Sequence, residues 1–389
     1  MPISVGISNN GRLLQKRDIL ERSKMLKNYQ ERLPLLDIFR IFICLSIIVY
    51  HGAIHKFYVL PGSEFLSHNL LTGAIYMDAF FILSGFLLFL LYGSRFDSIS
   101  PQISLKEFYL KRYIKIYAQY LALLFVIIAK DGIKYTILPV EILGLQSFFP
   151  QLWNYAGNGA TWFISAILFS YLIFPFIAYL TVHDKKPIKT MLLLYILIVY
   201  LAIFSTYFNI DQLVLYISPL YRCLEFIIGM YVAKMYTLSK KRLSVTWAFL
   251  GLFGMFYLIN YFFDLNFFNN MKFAMHYVYY TFITVPVFAF IIFVLAGYKK
   301  SGKSVKILSV LSELCFPLYI WNAIAQPIVK KHFMQTTYPF VYVLILNFLF
   351  AIIAFIVIDK ILVKMLKKKF LKSDQKPEKC VEHADNINY

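Results

Sequence analysis

The stretch LPLLDIFRIFICLSIIVYHGAI, residues 33–54, decides the fold class. It is apolar over the roughly 20 residues that a helix needs to cross a bilayer. Yet it carries Asp37, Arg40 and His51. Arg40 and His51 are eleven residues apart, and eleven steps of 100° return a helix to within about 20° of its starting azimuth, roughly 16 Å along the axis. One face therefore presents a permanent cation near one end and an imidazole near the other. Ionisable groups inside a membrane segment are costly and mark a functional site by default. For either residue alone, a structural ion pair or a snorkelling Arg is the plainer reading.

Comparable segments recur along nearly the whole chain. Its 389 residues are 60% hydrophobic, 19% aromatic and only 15% charged, with mean hydropathy +0.66. Soluble domains carry about 25% charge. The expected fold is all-α, a polytopic membrane protein of about ten transmembrane helices. The spans fall near 35–54, 70–92, 116–130, 162–181, 190–207, 213–236, 245–263, 276–297, 306–329 and 338–359. The third is short and rich in Tyr.

Charge supports this alternation. With an even number of spans both termini share a side. The segments on that side hold 31 Lys plus Arg; those on the other side hold 6, Lys56, Lys130, Lys134, Lys272, Lys330 and Lys331. Such asymmetry assigns the basic side, and both termini, to the cytoplasm. It also accounts for the net charge of +19, as topology and contact with anionic lipid rather than nucleic-acid binding. Three parts follow: a basic cytosolic segment over 1–34, a ten-helix membrane domain over 35–360, and a basic, disordered cytosolic tail over 361–389. The four cysteines, 44, 223, 315 and 380, have no paired spacing, so neither disulfides nor a zinc site is expected. Usage of Lys, Ile, Asn and Tyr fits a bacterial cytoplasmic membrane protein from an A+T-rich genome.

Helical rise sorts the intramembrane polar residues by depth. Arg40 lies near the cytoplasmic edge, level with Arg112 and Lys115 in YLKRYIKIY. His51, Asp78, Arg222, Glu225 and Asn322 fall between the midplane and the outer third of a core about 30 Å thick. The result is a cationic lower storey and an upper storey holding a base, two carboxylates, an Arg and an Asn. Each member also has a plain structural reading. Arg112 and Lys115 serve as positive-inside anchors, and Asp37–Arg40 and Arg222–Glu225 are i,i+3 pairs able to neutralise each other. His51 and His55 have metal-ligand spacing but no partner His at matching depth, so no metal is expected.

A cationic mouth suits a phosphate-bearing cytosolic ligand. A base about 16 Å further in suits the far end of a long thin one. Acyl-coenzyme A has this shape, and its thioester is already activated, so no permanently bound cofactor is needed. An imidazole can deprotonate an acceptor hydroxyl or take the acyl group itself. An exporter of a glycan or glycolipid, with a basic vestibule and a substrate-coupled His, gives a similar pattern. A receptor or scaffold is disfavoured by the density of buried ionisable groups.

Six segments, in order, resemble the acyltransferase-3 family of integral membrane acyltransferases. LLDIFRIFICLSIIVYHGAI resembles its opening segment, with Asp37 and the Arg40-x10-His51 spacing. YMDAFFILSGFLLF, with Asp78, resembles its second span, and FYLKRYIKIYAQY its Arg-x-x-Arg segment. TWFISAILFSYLIFP, YRCLEFIIGMYVA and LSELCFPLYIWN resemble three later spans. There are departures from the family pattern. Lys115 stands at the second Arg position, Ala118 at a Pro, Ile167 at a Glu found in some members, and Asn322 at a common His. The resemblance implies transfer of an acetyl or other short acyl group from cytosolic acyl-CoA to a hydroxyl of a cell-envelope polysaccharide or lipid-linked saccharide. It implies His51 as the catalytic group with Asp78 orienting it, and Arg40, Arg112 and Lys115 as donor-binding residues. Arg222, Glu225 and Asn322 form a polar layer towards the acceptor. Trp162, at the outer edge of its span, is a candidate for stacking on a sugar.

Overall fold

The computed structural model describes residues 33–97, 103–132, 135–152, 161–208, 210–239, 241–264, 277–300 and 302–371. Among them all regular structure is helical, with no strand. The helices are α1 Pro34–Ile54, α2 Glu64–Leu71, α3 Tyr76–Tyr92, α4 Leu105–Asp131, α5 Leu138–Ile142, α6 Trp162–His183, α7 Pro187–Tyr207 and α8 Gln212–Ile217. They continue with α9 Pro219–Leu238, α10 Thr246–Asp264, α11 Tyr277–Ala296, α12 Lys303–Glu313, α13 Cys315–His332 and α14 Pro339–Ala354. A π-helical turn, Phe355–Leu362, joins α14 to α15, Val363–Leu371.

Seven stretches among the described residues are long and apolar enough to cross a membrane: Pro34–Ile54, Gly73–Phe96, Leu105–Lys130, Trp162–His183, Pro187–Tyr207, Lys303–His332 and Pro339–Phe370. Thr246–Phe262 and Tyr280–Ala296 are shorter apolar helices. At the remaining expected span, α9 has 20 residues but includes Arg222, Glu225 and Lys234. The third expected span proves to be part of a longer helix. α4 begins at Ser104, whose Oγ accepts from the Glu107 N–H at 3.0 Å, and runs unbroken to Asp131. The RYIKIY segment therefore belongs to one rigid rod. The last helix likewise continues past the expected boundary at 360, reaching Leu371. The basic segment expected over 1–34, except for Leu33 and Pro34, and the tail beyond 371 lie outside the described residues.

Pro opens α1, α7, α9 and α14, where its missing N–H would lack an intrahelical partner anyway. Burial then sorts the helices. Most of the second apolar stretch is buried, whereas α7 buries only Ile198, Ala202 and Ser205. α7 turns Ile188, Leu192, Leu193, Ile196 and Ile203 outwards, an apolar face suited to lipid. At the centre, α3 crosses α9 at Gly85 and Gly229. A Cβ on Gly85 would lie 1.9 Å from the Phe226 carbonyl oxygen, and one on Gly229 would lie 2.0 Å from that of Ile82. Only glycine permits this approach, which is how small residues work in membrane helix packing.

Candidate functional site

The lower storey forms around α1. Arg40 Nη1 donates to Ser312 Oγ at 2.7 Å, and Ser312 Oγ donates to Asp37 Oδ1 at 2.7 Å. The direct Arg40–Asp37 separation is 3.7 Å. Ser312, near the end of α12, thus orients the guanidinium through one of its five N–H donors. Two adjoining cavities meet here. The larger, about 710 Å³, adds Arg242 and Lys299 to Arg40 and Arg112, with a wall of leucines that includes Leu36, Leu87 and Leu91. The smaller, about 220 Å³, is lined by Arg40, Lys111, Arg112, Lys115 and Ser312, and continues onto Met77, Phe80, Phe163 and Tyr319. Arg40, Ser84, Arg112, Tyr171 and Glu313 belong to both.

The three cations expected to act together, Arg40, Arg112 and Lys115, do line one cavity. The Arg112 guanidinium sits 4.6 Å from the Tyr92 ring centre, and its Nε is buried without a partner. Ser312, Glu313, Tyr171 and Tyr319 were not expected. The LSELCFPLY segment contained a signal for Ser312, since it precedes an acidic residue at the edge of a span. Tyr171 carries no local signal, because a Tyr in an apolar helix is ordinary.

The upper storey is assembled differently from expectation. Arg222 Nη1 donates to Asp78 Oδ1 at 2.7 Å and to both Glu225 oxygens, at 2.7 and 2.9 Å. Its Nε donates to the Tyr216 carbonyl at 2.7 Å. Thr284 donates to the second Asp78 oxygen. All three charged side chains are 1% exposed or less. Asp78 is therefore the partner of Arg222 and Thr284, which corrects its expected pairing with His51. Position explains the change: α3 and α9 meet at their glycines, and Asp78 and Arg222 both lie seven residues before that crossing. A single Thr in apolar α11 offered no advance sign.

Trp162 also departs from expectation. It is 5% exposed, its ring is 4.9 Å from that of Tyr216, and the Arg222 guanidinium lies 5.5 Å from its centre. It walls in the charged cluster and presents no open face to a sugar. The NYAGNGAT loop before it lies mostly outside the described residues. His51 is half-buried, 6.1 Å from the exposed His55 ring and 5.3 Å from that of Tyr50, and it lines neither cavity. Asn322 is buried with its Oδ1 unpartnered, as are Gln326 Nε2 and both polar atoms of Asn347. These belong to α13 and α14.

Apolar helices suited to a bilayer, a buried charged cluster among them and a cation-lined cavity beside the first helix define a class, the polytopic α-helical membrane protein. The family can be stated too. The acyltransferase-3 model, an acyltransferase domain, matches residues 33–359, so the chain belongs to this family and is a membrane acyltransferase. No curated protein and no solved structure matches it.

Proposed function

We propose that the chain moves an acetyl or other short acyl group from cytosolic acyl-CoA to a hydroxyl of a cell-envelope polysaccharide or lipid-linked saccharide. The carrying observation is that Arg40, Arg112 and Lys115 line one cavity in a member of an acyltransferase family. Fixed guanidinium donors and an ammonium suit a diphosphate. The excess of Lys and Arg on alternate loops supports a cytosolic mouth and a bacterial cytoplasmic membrane, multi-pass, with both termini inside.

In this reading the donor's phosphates dock at the cations and its pantetheine arm runs along α1 towards His51. The His51 imidazole takes the proton of the acceptor hydroxyl as its oxygen attacks the thioester carbonyl. The new ester forms and CoA leaves as the thiol. His51 lies outside both cavities, so the arm must part side chains beyond the smaller cavity before transfer. Asp78 acts at one remove, by holding α3 against α9.

The test compares O-acyl content of surface glycan in cells carrying the wild-type chain or His51→Ala, at matched membrane expression. Acylation is expected to fall to background. Unchanged acylation would sink the catalytic role of His51. Failure of the purified wild-type chain to consume any acyl-CoA would sink the donor assignment.

A further inference from the structure

The helix that follows the family domain contributes to the cationic mouth. The family match ends at residue 359, and α15 begins four residues later. Val363, at its start, packs in one cluster with Ile114, Ala118 and Ala122 of α4. The half-buried Lys367, one turn further on, therefore lies beside the stretch of α4 that bears Lys111, Arg112 and Lys115. Their charges act on it together with that of Asp359. Lys111, Arg112 and Lys115 line the smaller cavity. Other lysines of the same helix, Lys364, Lys368 and Lys369, are exposed.

Two features hold α15 in this place. The first is a polar clamp between helices. Gln119 is fully buried on α4, one turn beyond Lys115. Its Nε2 donates to Asp359 Oδ1 at 3.0 Å and to the Ala354 carbonyl at 3.3 Å, and its Oε1 accepts from Trp321 Nε1 at 3.0 Å. Lys360 then pairs with Glu313 at 3.0 Å, and Glu313 lines both cavities. The second is the π-helical turn Phe355–Leu362. A π turn inserts one residue into the α-helical repeat, and such bulges gather at functional sites. One residue is about 100° of azimuth, so the turn resets which face of α15 meets α4.

The charges are unbalanced. Five cations gather here, Lys111, Arg112, Lys115, Lys360 and Lys367, against three carboxylates, Glu107 bonded to Lys111, Glu313 bonded to Lys360, and Asp359. Arg112 Nε and Asp359 Oδ2 are both buried without partners. Like charges held together in a partly buried place repel strongly, and an anion relieves that repulsion.

We propose that Lys367 is a fourth cation of the donor site and contacts a phosphate of the acyl-CoA nucleotide. This rests on the donor reading above, and adds to it a residue outside the family domain.

The test uses the purified full-length chain with CoA, pantetheine and inorganic pyrophosphate as probes. Lys367→Gln is expected to weaken CoA binding about tenfold, the scale of one hydrogen bond to a charged group. Pantetheine, which lacks the nucleotide, is expected to bind as before, and Lys364→Gln is expected to bind CoA like the wild type. Amine labelling of the wild-type chain, read by mass spectrometry, is expected to show Lys367 protected by CoA and by pyrophosphate. This second measurement needs no variant to fold. Wild-type binding of CoA with Lys367 unprotected, or an equal loss for CoA and pantetheine, would overturn the inference and leave the donor reading standing. Protection by anionic-lipid nanodiscs but not by CoA would overturn it in favour of a lipid headgroup. A wild-type chain that binds neither CoA nor pyrophosphate would sink both.

Discussion

Replacing Gly85 or Gly229 by alanine should disturb the charged cluster without touching it. The added methyl of Gly85→Ala would sit 1.9 Å from the Phe226 carbonyl oxygen and 2.8 Å from its carbon. That of Gly229→Ala would sit 2.0 Å from the Ile82 oxygen and 2.9 Å from the Phe86 nitrogen. These are backbone atoms of the facing helix, so no side chain can swing aside. Ordinary contact begins near 3.4 Å, so the helices must part by about 1.5 Å, the shortfall from normal van der Waals separation. Asp78 and Arg222 lie seven residues, about 10 Å, back along their helices from this crossing. If the helices part as rigid rods, the 2.7 Å Arg222–Asp78 bond lengthens to about 4.2 Å, beyond hydrogen-bond range.

The cost combines overpacking, about 1–3 kcal/mol, with part of the roughly 3–5 kcal/mol lost when a buried ion pair is broken. Each alanine should therefore destabilise the chain by about 3 kcal/mol or more. The assay is heat treatment in detergent followed by size-exclusion chromatography. Gly254→Ala is the control, because nothing lies within 4 Å of that position, and alanine favours a helix over glycine. It should leave the midpoint unchanged or raise it. The double variant Gly85→Ala/Gly229→Ala should cost less than the two singles added, because the first methyl already opens the gap that the second needs. Full additivity, or single variants melting like wild type, would refute the reasoning.

Arg222→Met leaves Asp78 and Glu225 buried together without their cation, and should cost about 3–5 kcal/mol, read as loss of folded protein in the same assay. Lys234→Met removes an ammonium that donates to the Thr181 carbonyl at 2.7 Å, to that of Val182 at 3.1 Å and to that of Asp184, at the C-terminal end of α6. It should cost about 1–3 kcal/mol by leaving carbonyls unpaired, and a midpoint equal to wild type would contradict the contact. Ser312→Ala frees Arg40 from its link to Asp37; under the donor reading it should change KM for acyl-CoA by a few-fold and leave folding nearly intact. An effect on acceptor KM alone would argue against placing Arg40 with the donor.

The membrane fold was legible because hydrophobicity is local. Seven stretches long and apolar enough to cross a membrane lie where the sequence puts spans, and relative depth followed from counting 1.5 Å per residue. The same counting brought Arg40, Arg112 and Lys115 to one level, and they share a cavity. It failed at azimuth. Depth put Asp78 and His51 in one layer, but nothing local says which way α3 is rotated. That rotation is set by Gly85 and Gly229, and a glycine in an apolar run gives no sign of which helix approaches it. Ser312 and Thr284 were missed for the same reason, because their partners lie 275 and 206 residues away in sequence.

The two storeys differ in saturation, and this separates binding from architecture. Arg222 spends its donors on two carboxylates and a carbonyl, within a wall formed by Trp162, Tyr216, Phe81 and Tyr221. All three charged side chains of this cluster are 1% exposed or less. Buried ions that complete one another in this way hold register between helices. Around Arg40 the opposite holds. The cations outnumber the carboxylates, Arg112 keeps a buried N–H without a partner, and empty volume adjoins them. An unsatisfied buried donor is costly, and under the donor reading the bound phosphates satisfy it. The ordering of α1 follows from this contrast. Under the donor reading its Arg40 end is the half of the molecule that takes the ligand, and the α3–α9 crossing holds the neighbouring helices in place.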